Sequence, residues 1–337
     1  MKTLEGKVAL VTGAGRGIGR GIAHLLAEHG ASVVVNDLGA SLDGEGVDTG
    51  PAATVVAEIT AAGGTAVANT DSVTDHEAAR GMVQQAIDTF GKLDILVNVA
   101  GILRDRMIFN MSEEEWDAVI AVHLRGTYNT SKWASVHFRE RREFGRIINM
   151  SSNSAFGAPG QPNYAAAKAG IIGLTLTCAA SLGRYGVTAN AILPSGATRM
   201  IDSIPRAVEA VAHTGKLPSE LARGTERDPD NVAPLVAFLA TEAASGITGQ
   251  VLGSFGYNVT VMSQPKVIRA IRNSHRWTVA ELADAVPRAF GDLFAGQANR
   301  PGISAMIEEI DASEWVDVGQ GLRYWGTTLD PRPEQVW

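Results

Sequence analysis

Cysteine is almost absent from this chain, because Cys178 is the only one among 337 residues. A single cysteine cannot form an internal disulfide, so a reducing cytoplasm is the expected location. Cys178 stands in the apolar stretch 174–182, which predicts an inert, packed thiol rather than a nucleophile.

Excess positive charge, a targeting segment and a long apolar run are also lacking. The formal net charge is −7 and no basic stripe is present, which argues against a nucleic-acid partner. We find no secretory signal and no uninterrupted apolar stretch long enough to cross a bilayer, so we expect no membrane span. We also predict no metal site.

What the chain does contain is a regular alternation of apolar β-rich segments and helical patterns. Strands are predicted near residues 7–12, 32–37, 65–70, 93–98, 145–150, 187–192 and 249–253. This alternation predicts an α/β fold, a Rossmann-type doubly wound parallel sheet of about seven strands with helices on both faces. Ligands of such sheets bind at the carboxyl ends of the strands.

The first predicted strand leads into a glycine-rich turn, TGAGRGIG at residues 12–19, and then into a helical pattern. Glycines let the backbone approach a pyrophosphate, whose charge is met by free N–H groups and by the positive end of the helix dipole. A second apolar run, residues 32–36, ends in Asp37, where the ribose hydroxyls of a dinucleotide would lie. This order predicts a dinucleotide site.

Tyr164 and Lys168 are one helical turn apart, so a phenol and an ammonium share one helix face. For a tyrosine to act as an acid/base at neutral pH, its pKa has to fall by roughly three units, or about 4 kcal/mol. A cation about 4 Å away supplies about 4 kcal/mol at an effective dielectric near 20. The pair is a candidate proton-transfer device, although the same spacing also occurs on ordinary amphipathic helices.

With these features and three further motifs, residues 1–255 resemble the short-chain dehydrogenase/reductase family. Residues 98–101 (NVAG) are similar to the family's Asn-Asn-Ala-Gly, residues 145–152 (GRIINMSS) to the strand that presents its catalytic serine, and residues 190–194 (NAILP) to the strand before its nicotinamide loop. The resemblance implies hydride transfer between a secondary alcohol and a nicotinamide dinucleotide.

The resemblance also implies roles for individual residues. Tyr164 would be the acid/base, Lys168 would lower its pKa and hold the ribose, and Ser152 would orient the substrate oxygen. His123 completes the candidate catalytic set. The residues implied to bind the cofactor are Gly13, Arg16, Gly17, Ile18, Gly19, Asp37, Asp71, Ser72, Asn98, Ala100, Gly101, Tyr164, Lys168, Pro194 and Thr198.

Two departures from the family pattern leave alternatives open. Most members have Asn where this chain has His123, and an imidazole either relays protons in its place or merely packs under the site. Counting from the start of the fifth strand makes Ser152 the catalytic serine, whereas the usual spacing from Tyr164 gives Ser151. We favour Ser152, because strand register fixes the face of each side chain while a loop loses a residue easily.

Within the family, the chain is most similar to the (3R)-hydroxyacyl-CoA dehydrogenase domain of the peroxisomal multifunctional β-oxidation enzymes and its bacterial relatives. The residues that carry this likeness are 36–39 with the glycine-rich connection 39–51, 101–106, 122–126 and 194–200. The expected substrate is a 3-hydroxyacyl-CoA. The alternatives are a hydroxysteroid or its side-chain CoA ester, a 3-oxoacyl carrier protein, or a catalytically silent nucleotide-binding protein.

Two signals bear on the cofactor and they disagree. Asp37 closes the second strand, where its carboxylate accepts both ribose hydroxyls and repels a 2′-phosphate. Arg16 precedes the second motif glycine, where members that use NADP often carry a basic residue. We predict NAD, because Arg16 has a flexible stem and is free to turn to solvent or to a nearby acid.

The chain is predicted to divide into a dehydrogenase domain, residues 1–255, and an extension, residues 256–337. The first would include a substrate-covering segment at 200–228. In the second, Thr278 and Glu281 form a capping box that predicts a helix. The family resemblance further implies a homodimer or homotetramer, with the apolar stretch 171–182 at a twofold interface.

Overall fold

Strands and helices alternate along the first compact unit, Met1–Gln264. The computed structural model describes residues 2–202, 211–265, 267–294, 316–319 and 322–324. The strands of this unit are β1 (Val8–Thr12), β2 (Ser32–Asn36), β3 (Thr65–Asn69), β4 (Ile95–Asn98), β5 (Gly145–Met150), β6 (Val187–Ser195), β7 (Val251–Phe255) and β8 (Asn258–Val261). Its helices are α1 (Gly17–Glu28), α2 (Gly50–Ala61), α3 (His76–Phe90), α4 (Glu113–Ile120), α5 (Gly126–Arg141), α6 (Pro162–Leu182), α7 (Arg199–Asp202), α8 (Pro218–Leu221) and α9 (Ala233–Leu239).

All eight strands form one sheet in the order β3-β2-β1-β4-β5-β6-β7-β8, and the first seven are parallel. The strand order reverses direction between β1 and β4, which opens a crevice at their carboxyl ends. Thr12, Asn98 and Asn149 share one register line across that edge. The predicted doubly wound fold and its seven predicted strands are confirmed.

The eighth strand was missed. β8 runs antiparallel to β7 and follows a tight turn in which Gly256 has φ +58°. Its four residues are only partly buried on alternate positions, so they give little apolar signal. The sheet continues past the boundary predicted at residue 255 to Val261, and the first compact unit ends at Gln264.

Alternate residues of the central strands serve two separate cores. Ala9, Val11 and Val33 pack with α1 and α2 on one face, whereas Leu10 and Val34 pack with α3 and α5 on the other. Because both faces are covered, every residue of β1 is buried. This explains why the strands read as continuous apolar runs.

The second unit, Pro265–Trp337, contains α10 (Val279–Phe294) and an antiparallel pair, β9 (Val316–Gly319) and β10 (Leu322–Tyr324). The predicted capping box is confirmed, since Glu281 accepts the Thr278 N–H at 2.7 Å and donates its own N–H to the Thr278 hydroxyl at 3.2 Å. The β9–β10 pair was not predicted.

One helical stretch of the described chain, Pro162–Tyr185, is long and apolar enough to span a membrane by length and composition alone. This is weak evidence, because core helices of soluble proteins pass the same test. The stretch begins with α6, which packs against β5 and β6 and carries Tyr164 and Lys168.

Candidate active site

The glycine turn lies between β1 and α1, at the edge where the strands end. Gly13 has φ +64°, and a Cβ atom there would lie 2.7 Å from the Cα atom of Ala100, so only glycine fits this approach. Arg16 is the N-cap of α1 but makes no capping bond with its side chain, and the described first turn has no acidic residue. Free N–H groups and the positive helix end are therefore present for a pyrophosphate, and the site fits a dinucleotide.

Asp37 follows β2 and faces this turn. Its Oδ2 atom accepts the Gly15 N–H at 2.8 Å, and its Oδ1 atom accepts the Gly39 N–H at 2.7 Å. A carboxylate oxygen has two acceptor positions, so each oxygen keeps one for a ribose hydroxyl. The predicted cofactor carboxylate is thus fixed in place before any ligand arrives.

Two arginines stand beside Asp37, one of which the sequence reading missed. Arg16 and Arg199 both donate to the Ala40 carbonyl, at 3.4 and 3.3 Å, and Arg16 lies 3.8 Å from the Asp48 carboxylate. Burial, together with the charge of Arg16, lowers the pKa of Arg199. Both line a cavity of about 360 Å³ with the loop that follows Asp37. A basic residue next to Thr198 was the available signal.

Other predicted cofactor residues take up places around the same edge. A Cβ atom on Gly17 would lie 3.1 Å from Thr198, so the loop after β6 reaches the glycine turn. Pro194 pairs in register with Ser254 inside the sheet, and Ile18 packs partly against the core. Gly19 has no room for a side chain, because its Cβ atom would meet the Gly13 carbonyl.

The side-chain amide of Asn98 forms hydrogen bonds within the protein. Its Nδ2 donates to Asn149 Oδ1 at 2.9 Å, and its Oδ1 accepts from the Thr130 hydroxyl at 2.6 Å. Asn98 is buried, with only 5% of its surface exposed. Its amide joins β4 to β5 and α5. The side chain thus has a positioning role, and the cofactor contact expected of Asn98 stays a prediction.

Asp71 and Ser72 lie just beyond β3, as expected of residues near an adenine. The Asp71 carboxylate accepts from Asn69 Nδ2 at 2.9 Å, and the Ser72 hydroxyl lies 2.9 Å from that of Thr74. Their side chains are therefore held at this corner of the sheet by neighbouring residues.

The two serines after β5 face different ways. The Ser151 hydroxyl is buried and donates to the backbone carbonyl of Lys168 at 2.8 Å. The side chain of Ser152 lies beside Tyr164, where it opposes the rise of the Tyr164 pKa, and its hydroxyl accepts the Ser154 N–H at 3.2 Å. Strand register therefore brings Ser152, and not Ser151, to the phenol.

Burial governs the titration of Tyr164 and Lys168. It raises the pKa of Tyr164 to about 12, and the charge of Asp105 adds to the rise. It lowers the pKa of Lys168 to about 7, while the Lys168 ammonium donates to the Met150 carbonyl at 2.6 Å. Burial thus disfavours the charged form of both groups, and it outweighs the expected effect of the lysine on the phenol.

His123 lies in a π-helical turn, Ala121–Arg125, between α4 and α5. Its Nε2 atom is 2.8 Å from the Ile102 carbonyl, and its ring stands edge-on to that of Tyr164 with centroids 5.0 Å apart. Gly101 must be glycine, since its Cβ atom would lie 2.3 Å from the imidazole. Burial and the nearby Lys168 lower the His123 pKa well below its usual value, so the ring is neutral.

Two buried side-chain atoms near Tyr164 have no hydrogen-bond partner within the described chain, His123 Nδ1 and Asn153 Oδ1. Asn153 directly follows Ser152 and was not predicted to matter. Buried polar atoms rarely stay unpaired, so both are candidates for contact with a ligand or a relayed proton. Within the described ranges, no group of three His, Cys, Asp or Glu side chains is spaced for a metal ion.

Comparison with known proteins agrees with this geometry. A family model described as enoyl-(acyl carrier protein) reductase matches residues 13–254. The chain is 42% identical over 315 residues to the hydroxyacyl-CoA dehydrogenase ChsB1 of Mycobacterium tuberculosis, covering 90% of this chain and 93% of that protein. It is 43% identical over 240 residues to the peroxisomal multifunctional enzyme type 2 of Mus musculus, covering 71% of this chain and 30% of the mouse enzyme.

Among solved structures, the chain resembles a short chain dehydrogenase from Mycobacterium avium with a TM-score of 0.74 and 44% identity, covering 89% of this chain and 98% of that one. The chain belongs to the short-chain dehydrogenase/reductase family. It is accordingly an oxidoreductase that acts on CH–OH groups with a nicotinamide cofactor.

We expect Ser152→Ala to lower kcat/KM by one or two orders of magnitude, because the phenol loses its hydroxyl partner and a charge-stabilising donor disappears. Ser151→Ala should be milder, since that hydroxyl bonds only the backbone of α6. Steady-state kinetics of both variants check the ranking. A larger loss for Ser151→Ala would show that spacing from Tyr164, and not strand register, identifies the serine.

The pH dependence should differ between the two reaction directions. Alcohol oxidation needs the phenolate of Tyr164, whose pKa lies above neutrality, so its rate should rise with pH, whereas ketone reduction uses the protonated phenol and should fall at high pH. Protonated Lys168 stabilises the phenolate. Lys168→Met should therefore slow oxidation most at and below pH 7, where the wild-type lysine carries charge, and least well above pH 7, where the wild-type lysine is itself neutral. Superimposable profiles of kcat/KM would contradict this role.

Proposed function

We propose that this protein is an NAD-dependent dehydrogenase of 3-hydroxyacyl-CoA. The observation that carries the proposal is the placement of Ser152 beside Tyr164, one helical turn before Lys168, at the sheet edge where the glycine turn and Asp37 form a dinucleotide site. The substrate class is supported by the names of the relatives, a hydroxyacyl-CoA dehydrogenase among them. That relative matches 90% of this chain, beyond the shared nucleotide-binding part.

The chain's own residues would divide the work as follows. Ser152 orients the substrate oxygen, and Tyr164 takes the hydroxyl proton during oxidation. Lys168, which is buried, provides positive charge near Tyr164 and relays protons to it. The bound nicotinamide supplies the hydride acceptor. The first turn of α1 would hold the pyrophosphate and Asp37 the adenosine ribose, while Asp71 and Ser72 flank the adenine.

His123 is proposed to take part in the proton relay in place of the usual Asn. Its neutral ring offers one donor and one acceptor nitrogen. Nε2 is occupied by Ile102, whereas Nδ1 is buried and has no partner in the described structure. A relay through Nδ1 would account for this unpaired atom beside Lys168 and Tyr164.

The function is tested by assaying the purified protein with (3R)- and (3S)-hydroxyacyl-CoA series, hydroxysteroids and 3-oxoacyl carrier protein, each with both cofactors. Tyr164→Phe is the matched control, because it keeps the ring and removes only the hydroxyl group. We expect it to lose at least a hundredfold in kcat, as for a positioned acid/base, while cofactor binding persists. Retention of more than roughly a tenth of kcat would rule out Tyr164 as the acid/base.

We propose NAD over NADP because Asp37 is held by two backbone N–H groups and cannot turn away from a 2′-phosphate. A charged hydrogen bond to ribose is worth about 1.5–3 kcal/mol, so kcat/KM should be roughly tenfold or more higher with NAD. Asp37→Ala should shrink or reverse that ratio. Preference of the wild type for NADP would mean that Arg16 and Arg199 set the choice.

Assembly and location stay predictions. A homodimer or homotetramer is supported by the apolar character of α6. Only 28% of the most apolar 18-residue stretch of this helical segment is buried within one chain. The cytoplasmic location is supported by the single cysteine. Residues 203–210 of the expected substrate-covering segment 200–228 lie outside the described residues.

A further inference from the structure

The short segment after β4, residues 101–106, lies between two parts of the site that are far apart in sequence. On one side is the irregular part of the connection between β2 and α2, residues 39–49, called here the insertion loop. On the other side is the start of α6, which carries Tyr164. Arg104 contacts both parts, and no catalytic or cofactor role has been given to it so far.

The side chain of Arg104 holds the insertion loop. Its Nε donates to the Asp43 carbonyl at 2.7 Å, and its Nη2 donates to Glu45 Oε1 at 2.6 Å. Next to it, the Leu103 N–H donates to the Leu42 carbonyl at 3.0 Å. Only 21% of the Arg104 side chain is exposed, so the guanidinium is engaged and not merely solvated.

The base of the same loop belongs to the cofactor site. The Gly39 N–H donates to Asp37, and the Asp48 N–H closes the loop on the Leu38 carbonyl at 3.0 Å. A Cβ atom on Gly39 would lie 1.8 Å from the Asp48 carbonyl, so the two ends of the loop are in direct contact. A displacement of the loop would therefore shift the Gly39 N–H that holds the Asp37 carboxylate.

The backbone of Arg104 holds the catalytic helix. Its carbonyl accepts from Asn163 Nδ2 at 3.0 Å, and Asn163 Oδ1 accepts the Tyr164 N–H at 2.7 Å. Asn163 is fully buried, so these bonds face little competition from water. One residue thus connects the loop at the ribose end of the cofactor site with the residue that precedes the catalytic tyrosine.

We propose that Arg104 is a positioning residue that couples dinucleotide binding at the insertion loop to the placement of Tyr164. The inference rests on the proposed function for its kinetic consequence, but the coupling itself is measurable without turnover. A bound dinucleotide that orders the insertion loop stabilises Arg104 in its present place, and the Arg104 carbonyl then fixes Asn163 and the first turn of α6.

The variants are Arg104→Ala, which removes both side-chain bonds, and Arg104→Lys, which keeps a charge and one donor. The matched control is Arg106→Ala, because Arg106 belongs to the same segment and pairs only with Glu115, at 2.9 Å, away from the insertion loop. Arg104→Ala should raise the NADH dissociation constant and lower kcat, each about tenfold, as expected for lost charged hydrogen bonds. Arg104→Lys should recover part of both losses, and Arg106→Ala should stay within about twofold of wild type.

Hydrogen exchange gives a measurement that a purely structural role of Arg104 would leave unchanged. In the wild type, NADH should slow amide exchange in residues 39–49 and also in residues 161–168. In Arg104→Ala at saturating NADH, the slowing at 161–168 should be lost. If Arg104→Ala does not fold, Arg104→Gln, which keeps one donor, takes its place in the same comparison.

The outcomes separate the two claims. If the Arg104 variant binds NADH more weakly but keeps wild-type kcat and wild-type exchange at 161–168, Arg104 serves the insertion loop alone and the coupling is refuted. Unchanged affinity and unchanged exchange also refute it. If the wild type binds NADH but oxidises none of the alcohols tested, the proposed function fails, while the exchange data still decide whether the coupling exists.

Discussion

The active site depends on the hydrogen bonds of the buried side-chain amide of Asn98. It joins β4 to β5 through Asn149, and the Nδ2 of Asn149 reaches the hydroxyl of Thr175 on α6 at 2.9 Å. Because Asn149 and Thr175 are fully buried, breaking this chain would leave polar atoms unpaired in the core. These bonds tie α6, which carries Tyr164, to β5, the strand that leads to Ser152.

Burial is the second constraint, and it acts on charge. The same packing that fixes Lys168 under the sheet edge strips it of water, so its pKa falls to about 7, while that of Tyr164 rises to about 12. Burial therefore disfavours the charged form of both groups. His123, kept neutral by the same burial, fits this environment better than a charged group would.

The sequence allowed most of the fold to be predicted because the strands are buried on both faces and each ends in a recognisable loop. The glycine turn, Asp37 and the Tyr164–Lys168 spacing are local patterns, and local patterns survive without knowledge of the fold. β8 was missed because its residues alternate and are largely exposed. Arg199 and Asn163 were missed because a single Arg or Asn in a loop or at a helix start has no distinctive neighbour pattern.

The sequence by itself determined the family and the strand order along the chain, and it singled out Tyr164 and Lys168 as the candidate proton-transfer pair, since these follow from residue types at fixed spacing. Only the tertiary structure decided which side chains meet. It turned Ser151 toward the backbone of α6 and Ser152 toward the phenol, and it joined the Asn98 side chain to β5 and α5. The reason is that side-chain direction and burial depend on contacts between elements far apart in sequence, which no local pattern encodes.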